Sequence, residues 1–473
     1  MKWSHYSEAL FDAFSNTNEN IIVQACPGAG KTTNIKHLWT LTDKPTVYLV
    51  FNKQNQIEAA AKLSERANSA IYTLNSLGHR AVIATFDNVM LDNRKVWNIV
   101  KKRRLKKWVS PEEMDRETML VKAVQVAKCI DTGIGLSTDV YDNMLSTYDL
   151  DDYQGMYRDV NTVLSASDEI TNIIDYADQL RFPVIYNCQL PQFDVVLGDE
   201  VQDFNPVQVA LLQILEAKRY VLVGDSHQSI YGFRGAMNDG MSYLKDTFKC
   251  TQLPLSITYR CAQSIVKQAS AIWKDIEAWE ESGEGTVRYS TAEKERYTAE
   301  DIVLWRVNRP LIALAYQLLK SGTPCYVRGR DIGEGLVALI KRQHAASVRD
   351  LIGLLQASYE VEVEKARVRE DDTKIARLDD KYSSALLFCE KAKLDDSPDV
   401  VCQAIAGLFS EGKGVCLSTV HKAKGLEAQR ALLLDAPLYD LYRKRARQAW
   451  QAEQESNVKY VAVTRARDEL VYM

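Results

Sequence analysis

Short apolar runs alternate with stretches of helical periodicity in the first part of the chain, and they do so again after a long interruption. Five runs have the length and composition of buried strands: 21–25, 46–51, 69–73, 193–197 and 220–223. Strands that are apolar along their whole length, followed by helix-like segments, are typical of a parallel sheet that helices cover on both faces. We therefore expect one parallel α/β domain assembled from two separate parts of the chain.

A second set of strand-like runs follows later in the chain, at 301–305, 324–327, 415–419 and 430–434. Charged and mainly helical blocks interrupt both sets. We therefore predict an α/β fold with two parallel-sheet domains, each of which carries a mainly helical insertion. The expected boundaries are 1–80 and 190–250 for the first sheet domain, 81–189 for its insertion, 251–333 and 411–473 for the second sheet domain, and 334–410 for its insertion.

The composition narrows the class of protein without identifying it. Hydrophobic residues make up 46% of the 473 residues and charged residues 26%. No apolar run approaches the ~18 to 20 residues of a membrane span, and the N-terminus lacks the apolar core of a signal peptide. We therefore expect no membrane association. The nine cysteines have no metal-type spacing, so we expect reduced thiols in a cytoplasmic protein. The net charge of −4 confines any nucleic-acid surface to a local stripe.

A glycine-rich turn between the first strand and the first long helix has the chemistry of a phosphate-binding loop. Its backbone N–H groups can surround phosphates, a lysine can reach the β and γ phosphates, and the next hydroxyl can bind Mg²⁺. An alanine stands where such loops usually have their first glycine. The expected nucleotide-binding residues are Ala25, Cys26, Pro27, Gly28, Ala29, Gly30, Lys31, Thr32 and Thr33.

A pair of carboxylates follows the strand-like run 193–197 far downstream. Asp199 is suited to hold Mg²⁺ together with Thr32, and Glu200 is suited to accept a proton from an attacking water. Phosphoryl transfer also needs cations where negative charge develops. Arg260 and Arg465 become candidates for that task only in the context of the other residues, because an isolated arginine is usually a surface residue.

The complete set of motifs resembles superfamily 1 DNA helicases of the UvrD/Rep type. A-C-P-G-A-G-K-T resembles motif I of that family, D-E-V-Q-D resembles motif II and G-D-S-H-Q-S-I-Y-G-F-R-G-A resembles motif III. The resemblance covers nearly the whole chain. The remaining segments occur in the family's order at 50–53 and 73–78 (motifs Ia and Ib), 255–260 (motif IV), 306–308, 326–329, 418–427 (motif V) and 455–466 (motif VI).

The resemblance implies two RecA-like motor domains and the hydrolysis of ATP with Mg²⁺. The catalytic residues it implies are Lys31, Asp199, Glu200, Gln228, Arg260 and Arg465. Tyr259 is expected to stack on the base of the nucleotide and Glu427 to lie near its ribose. Gln228 is expected to sense the γ-phosphate, and Arg260 and Arg465 to reach that phosphate from the second motor domain when the domains close.

The resemblance also implies a single-stranded DNA track and 3′→5′ movement, with strand separation in replication, repair or recombination. The expected DNA contacts are Phe51, Thr73, Asn75, Tyr231, Phe233, Arg234 and His421. Aromatic residues at such positions stack on bases of any sequence. The expected partners are single-stranded DNA and junctions of single and double strands. The motor is expected to act as a monomer, and no protein partner is indicated.

The chain departs from the family pattern in three places. Ser7 occupies the position of a glutamine that reads adenine, and a hydroxyl cannot make the two-sided contact of an amide. We therefore expect weaker selectivity for ATP over other nucleoside triphosphates. The second insertion is short, and the sequence stops soon after motif VI, so we expect a compact motor.

Several alternatives remain open at this stage. The basic run 101–107 is either an ordinary solvated surface or a grip on DNA phosphates. The motor could be a translocase that removes proteins from single-stranded DNA with little unwinding. A P-loop kinase for small molecules would not need motifs V and VI. An inactive DNA-binding subunit would not need Lys31, Asp199, Glu200 and Arg465.

Overall fold

The computed structural model of the protein describes residues 2–63, 66, 68–103, 111–133, 135–148, 150, 152–230, 240–368, 372–410, 412–434, 436–446 and 449–473. The chain forms two compact units, Met1–Ile257 and Thr258–Met473. Within the described helices, none is long and apolar enough to cross a bilayer.

The first unit alternates strands and helices. Its strands are β1 Ile21–Ala25, β2 Thr46–Val50, β3 Ala70–Thr73, β4 Met90–Leu91, β5 Ile173–Ile174, β6 Val195–Gly198, β7 Arg219–Gly224 and β8 Thr251–Leu255. Its helices are α1 His5–Asn16, α2 Lys31–Thr40, α3 Lys53–Lys62, α4 Leu74–Thr85, α5 Lys95–Lys102, α6 Pro111–Ile130, α7 Thr138–Tyr148, α8 Met156–Asp168, α9 Asp178–Ile185, α10 Pro206–Ile214 and α11 Gly240–Thr247. Two short 3-10 helices cover Val201–Asp203 and Ser226–Gln228.

Six parallel strands of this unit form one sheet in the order β3-β2-β6-β7-β1-β8. All five apolar runs expected to be strands are strands of this sheet. The side chains of β1, β2, β6 and β7 are largely buried, with Ile22, Val47, Val196 and Leu222 in one core cluster, whereas those of the edge strand β3 are only partly buried. Because β1 and β6 are parallel, the loops that follow them leave the same edge of the sheet. This edge is where parallel α/β sheets bind ligands.

The expected boundary at residue 250 is wrong by several residues. Strand β8 pairs with β1 in the first sheet, so the segment 251–255 belongs to the first unit and not to the second domain. This strand contains Pro254 and two exposed polar residues, Thr251 and Gln252. It lies at the edge of the sheet, where a proline is tolerated and burial is incomplete. The apolar pattern that identifies central strands is therefore weak there.

The helices between β4 and β5 pack around a core of their own. Val96 of α5, Val124 of α6, Met144 of α7 and Val160 of α8 belong to one cluster that is separate from the core of the sheet. Helix α9 leads the chain back to the sheet and packs along α4. The helical insertion is thus fixed to α4, the helix that follows β3.

The second unit repeats the design of the first. Its strands are β9 Ile257–Thr258, which begins at the boundary, β10 Glu277–Ala278, β11 Thr286–Tyr289, β12 Ile302–Trp305, β13 Cys325–Arg328, β14 Val415–Thr419, β15 Ala428–Leu433 and β16 Ala466–Tyr472. Its helices are α12 Gln263–Ser270, α13 Arg309–Lys320, α14 Arg330–Arg342, α15 Val348–Val368, α16 Asp372–Cys389, α17 Pro398–Leu408, α18 Ala436–Arg445 and α19 Ala449–Val463.

Its main sheet has six parallel strands in the order β11-β16-β15-β12-β14-β13. The prediction of an α/β fold with parallel sheets and many helices is therefore confirmed. Helices α15 and α16 form an antiparallel pair within the segment expected to be the second insertion. A separate two-stranded ribbon of β9 and β10 lies near the start of the unit.

Candidate functional site

The turn between β1 and α2 has the backbone conformation of a phosphate-binding loop. Gly28 and Gly30 adopt φ values of 76° and 73°, where a side chain would be strained. Gly30 is also the N-cap residue of α2 and has no side chain with which to accept a hydrogen bond from the first turn of this helix. A helix N-terminus of this kind favours an anion, because its N–H groups and its dipole both carry positive partial charge.

Asp199 follows β6 and lies beside this turn. The Thr32 hydroxyl donates to its Oδ2 over 2.9 Å, and the Tyr48 hydroxyl donates to the same oxygen over 3.0 Å. Burial raises the pKa of Asp199 to about 6, with a further contribution from the neighbouring Glu200 carboxylate, while Lys31 opposes the shift. Burial makes the ionised carboxylate unfavourable, and a cation bound beside it stabilises that ionised form.

The chemistry of these groups fits Mg²⁺ bound to a nucleotide. The hydroxyl of Thr32 and the carboxylate of Asp199 are hard oxygen ligands within hydrogen-bond distance of each other. Mg²⁺ in nucleotide sites typically uses one or two such protein oxygens together with phosphate and water. The Thr32 hydroxyl and the Asp199 carboxylate are therefore the expected protein ligands.

Glu200 has an unusual backbone that directs its carboxylate. Its φ of 54° is in the left-handed region, which costs a non-glycine residue about 1 kcal/mol or more and is concentrated at functional sites. The Lys31 Nζ lies 3.7 Å from Glu200 Oε1, and Gln202 Nε2 donates to Oε2 over 2.6 Å. The carboxylate is thus held beside the lysine of the glycine-rich turn by contacts on both of its oxygens.

A chain of hydrogen bonds leads from Glu200 to the loop after β7. Gln202 accepts from the Asp225 N–H over 2.9 Å, and Gln228 Nε2 donates to Asp225 Oδ2 over 2.5 Å. A Cβ added to Gly224 would lie 2.6 Å from Gln202 Oε1, so only glycine permits this approach. The side chain of Gln202 is thus the physical link between the candidate base and Gln228.

The second unit brings together four of the other predicted residues. Arg260 Nε lies 2.6 Å from Glu427 Oε2, and Arg260 Nη1 donates to the Thr464 carbonyl over 3.3 Å. Arg465 is buried, and it donates to the carbonyls of Val461 and Leu426 over 2.9 and 3.0 Å. Tyr259 immediately precedes Arg260.

The residues predicted to contact DNA differ in the exposure and the hydrogen bonds of their side chains. Phe51, directly after β2, is 47% exposed, as a stacking residue must be. The Thr73 hydroxyl instead caps α4 by accepting from the Ser76 N–H over 3.1 Å. The amide of Asn75 donates to the Tyr176 carbonyl over 2.8 Å and to the side chain of Gln179 over 3.0 Å. Thr73 therefore stabilises the start of α4, and Asn75 joins α4 to α9 and to the segment before it.

The other polymer-binding predictions can be placed only in part. His421 lies in the turn after β14. Tyr231, Phe233 and Arg234 lie outside the described residues, and so does the basic run beyond Arg103. At the described start of that run, Lys101 Nζ lies 4.7 Å from the centre of the Trp97 ring.

Ser7 lies on α1 and is fully buried. Its hydroxyl is 3.2 Å from the hydroxyl of Ser4, the residue that caps this helix. The hydroxyl is thus part of the helix cap and does not present a polar edge to solvent.

Three side chains were not assigned a role from the sequence. Tyr48 lies in the apolar run of β2, where a lone tyrosine signals that its buried hydroxyl needs a partner. Gln202 and Asp225 lie within motifs that were recognised, but their mutual contact joins two loops distant in sequence. Only the sheet order that brings β6 beside β7 reveals that contact.

Two family models of helicase domains match the sequence of this chain. The UvrD/REP helicase N-terminal domain matches residues 7–249, and the UvrD-like helicase C-terminal domain matches residues 390–473. F-box DNA helicase protein 1 of Schizosaccharomyces pombe is 26% identical over 335 residues, which cover 62% of this chain and 34% of that protein. ATP-dependent DNA helicase PcrA of Staphylococcus aureus is 25% identical over 336 residues, which cover 63% and 45%.

A shorter match is closer in sequence. The probable DNA helicase II homolog of Mycoplasma pneumoniae is 35% identical over 132 residues, which cover 24% of this chain and 18% of that protein. The matched segments thus span less than half the length of each of these curated relatives. The N-terminal family match covers more than half of this chain and contains the glycine-rich turn, Asp199 and Gln228. The chain therefore belongs to the UvrD/REP helicase family.

Proposed function

We propose that this protein is an ATP-dependent DNA helicase or translocase that moves 3′→5′ along single-stranded DNA. The observation that carries the proposal is the hydrogen-bonded path from Glu200 through Gln202 and Asp225 to Gln228. One end of this path is a candidate phosphoryl-transfer site. The other end lies three residues before Tyr231 in sequence, the first of the residues of this motif that are expected to contact DNA. A motor needs such a link, because hydrolysis must change the grip on its track.

Each residue of the first unit has a defined task in the proposed reaction. Lys31 binds the phosphates, and Thr32 and Asp199 hold Mg²⁺, which neutralises phosphate charge when it is bound. Glu200 orients the attacking water and accepts its proton. Tyr48 keeps the Asp199 carboxylate in place, with its hydroxyl 3.0 Å from Oδ2.

Arg260 and Arg465 of the second unit are the proposed cations for the charge that develops during transfer. Both are held by defined contacts, with Arg260 against Glu427 and Arg465 against backbone carbonyls. Phe51 is the proposed stacking residue on the DNA side, supported by its exposed ring. Single-stranded DNA and strand junctions are the proposed polymer partners.

ATP hydrolysis with and without single-stranded oligonucleotides tests the proposal directly. We expect DNA to stimulate turnover, and we expect Lys31→Ala to abolish turnover while DNA binding persists. Duplexes with a 3′ or a 5′ single-stranded tail then test the direction, and only the 3′-tailed substrate should be unwound. Turnover that ignores DNA would contradict the motor, and unwinding from the 5′ tail would contradict the direction.

A translocase that removes bound proteins is a second candidate. It is favoured by the small size of the segment 334–410, which consists of the end of α14 and helices α15, α16 and α17. Such a segment offers little surface for gripping a duplex. Displacement of streptavidin from biotinylated single-stranded DNA, measured beside unwinding by the same preparation, separates the two functions. Rapid displacement without unwinding would favour the translocase.

A further inference from the structure

The ribbon of β9 and β10 brings two aromatic rings together. Tyr259 directly follows β9 and Trp279 directly follows β10. The Trp279 N–H donates to the Thr258 carbonyl over 3.1 Å, which continues the pairing beyond both strands. The ring centres of Tyr259 and Trp279 are 5.0 Å apart, and the ring planes are inclined by 45°. The ring of Tyr259 therefore packs against the tryptophan across the ribbon.

The exposed part of Tyr259 is not its hydroxyl. The residue is partly exposed, yet its hydroxyl oxygen is inaccessible to water and has no hydrogen-bond partner among the described residues. The accessible surface consequently belongs to the ring carbons or the backbone. A tyrosine in this arrangement interacts with a ligand through its ring and not through hydrogen bonding.

We propose that Trp279 is a positioning residue for the base of the nucleotide. It fixes the Tyr259 ring at the angle at which a base stacks on it. This inference rests on the proposed function and on the expectation, from the family resemblance, that the base of ATP stacks on Tyr259. It also explains how a base can be held when Ser7 is buried against Ser4.

Stacking on a fixed ring has a consequence for specificity. The interaction depends on the area of the base and not on its exocyclic amino or keto groups, because every base has a π face. The protein should therefore prefer purine over pyrimidine triphosphates and discriminate poorly between ATP and GTP. Trp279 contributes to this order of nucleotide preference because it sets the orientation of the Tyr259 ring and thereby the contact area between that ring and the base.

Steady-state hydrolysis of ATP, GTP and CTP at saturating oligonucleotide tests this inference. The variants are Tyr259→Ala, Trp279→Ala and Trp279→Phe, with Tyr289→Ala as the control. Tyr289 is an 81% exposed aromatic residue of the same unit whose ring stacks on Tyr472. We expect Trp279→Ala to raise KM for ATP about tenfold with little change in kcat, because the loss concerns binding of the base.

Trp279→Phe should recover most of this loss, since a smaller ring can still support Tyr259. Trp279→Ala should also reduce the preference for ATP over CTP, a change that general destabilisation would not produce. An unchanged KM and an unchanged ranking in Trp279→Ala, together with a raised KM in Tyr259→Ala, would overturn the inference and leave the proposed function intact. An unchanged KM in Tyr259→Ala would show that the base does not lie on this ring and would also overturn the inference, whereas the proposed function is tested separately by the stimulation of ATP hydrolysis by DNA.

Discussion

Arg260 and Glu427 form an ion pair, with 2.6 Å between Nε of the arginine and Oε2 of the glutamate. The sequence motifs assign these residues to opposite parts of a nucleotide, the γ-phosphate and the ribose. In the structure the glutamate lies beside the arginine, and Arg467 Nη1 lies 3.6 Å from its second carboxylate oxygen. From this contact we expect Glu427 to affect catalysis through the position of Arg260.

Glu427→Gln tests this relationship, because it keeps the size of the side chain and removes its charge. We expect kcat for ATP to fall about tenfold, since Arg260 stays charged but loses the partner that fixes its guanidinium. Arg467→Gln is the matched control, and it should change kcat much less because its contact is longer and more exposed. A variant that hydrolyses ATP at the original rate but no longer distinguishes ATP from 2′-deoxy-ATP would instead support a direct ribose contact.

Tyr48 should control how tightly the site holds Mg²⁺. Tyr48→Phe removes one of two hydroxyl groups that donate to Asp199 Oδ2. Outer partners of metal ligands commonly change metal affinity tenfold or more, so we expect half-maximal hydrolysis to require about tenfold more Mg²⁺. Titration of ATPase activity with Mg²⁺ at fixed ATP measures this shift.

Tyr220→Phe provides the control for the loss of a buried tyrosine hydroxyl. The Tyr220 hydroxyl donates to the Leu212 carbonyl over 3.0 Å, in the core of the same unit. We expect both variants to lose about 1 kcal/mol of stability, and only Tyr48→Phe to change the Mg²⁺ requirement. An equal Mg²⁺ requirement in the two variants would show that Tyr48 is only a core residue.

The central strands and the glycine-rich turn are predictable from sequence because their signals are local. Apolar runs such as 46–51 indicate strands that are buried on both faces. The glycine-rich turn can be recognised because its sequence has glycines at the two positions that adopt positive φ. The edge strand β8 lies outside the expected bounds of the first domain, because a half-exposed strand lacks a continuous apolar run. The role of Tyr48 depends on which strand lies beside β2, and pairing between distant segments is a tertiary property.

Gln202 should be needed for communication with DNA more than for hydrolysis itself. It connects Glu200 with the Asp225 backbone, with distances of 2.6 and 2.9 Å. Gln202→Met keeps the volume and removes both hydrogen bonds. We expect basal ATPase activity to change only severalfold, because Lys31 still contacts Glu200, and we expect stimulation by single-stranded DNA to be largely lost.

The ratio of ATPase rates with and without oligonucleotide is the relevant measurement. Gln213→Met is a suitable control, because Gln213 is an exposed residue of α10 in the same unit. If Gln202→Met were stimulated by DNA as strongly as the original protein, the path through Gln202 would not carry the signal. The sequence motifs contain both ends of this path, Glu200 and Gln228. The contact between them, however, follows from the adjacency of β6 and β7.

Glu295 should make the stability of the protein sensitive to acid. Arg288 binds both of its oxygens, at 2.5 and 2.9 Å, and these hydrogen bonds lower the pKa of Glu295 from 4.5 to about 2. A depressed folded-state pKa stabilises the native state above the unfolded value, and this contribution is lost as pH falls from 4.5 towards 2. We expect Glu295→Gln to unfold more easily in urea at neutral pH and to lose less stability than the original protein on acidification. Glu300→Gln, which alters an exposed carboxylate, should leave the pH profile unchanged.

A buried ionic cluster should determine the stability of the first insertion. Lys128 Nζ, which is inaccessible to solvent, lies 2.7 Å from both Asp175 Oδ2 and Asp178 Oδ1. Lys95 Nζ approaches the second oxygen of Asp178 to 2.8 Å. The cluster joins α5 and α6 to α9 and to the segment before it, and α9 packs on α4. A change in this cluster is therefore expected to affect α4 and Thr73, the residue that caps it.

Lys128→Met should lower the free energy of unfolding by about 3 to 5 kcal/mol, because it removes the lysine that pairs with both buried carboxylates and leaves Lys95 paired with Asp178. Lys218→Met is the matched control. Its ammonium lies 2.9 Å from Asp194 in an ion pair of similar length, but the lysine side chain is 78% exposed, so the loss should be below about 1 kcal/mol. Urea denaturation followed by circular dichroism measures both values.

Adding Asp175→Leu to Lys128→Met should recover part of the loss, since it removes a charge that the first change left unpaired. Equal losses in the two lysine variants would mean that burial does not govern the energy of this cluster.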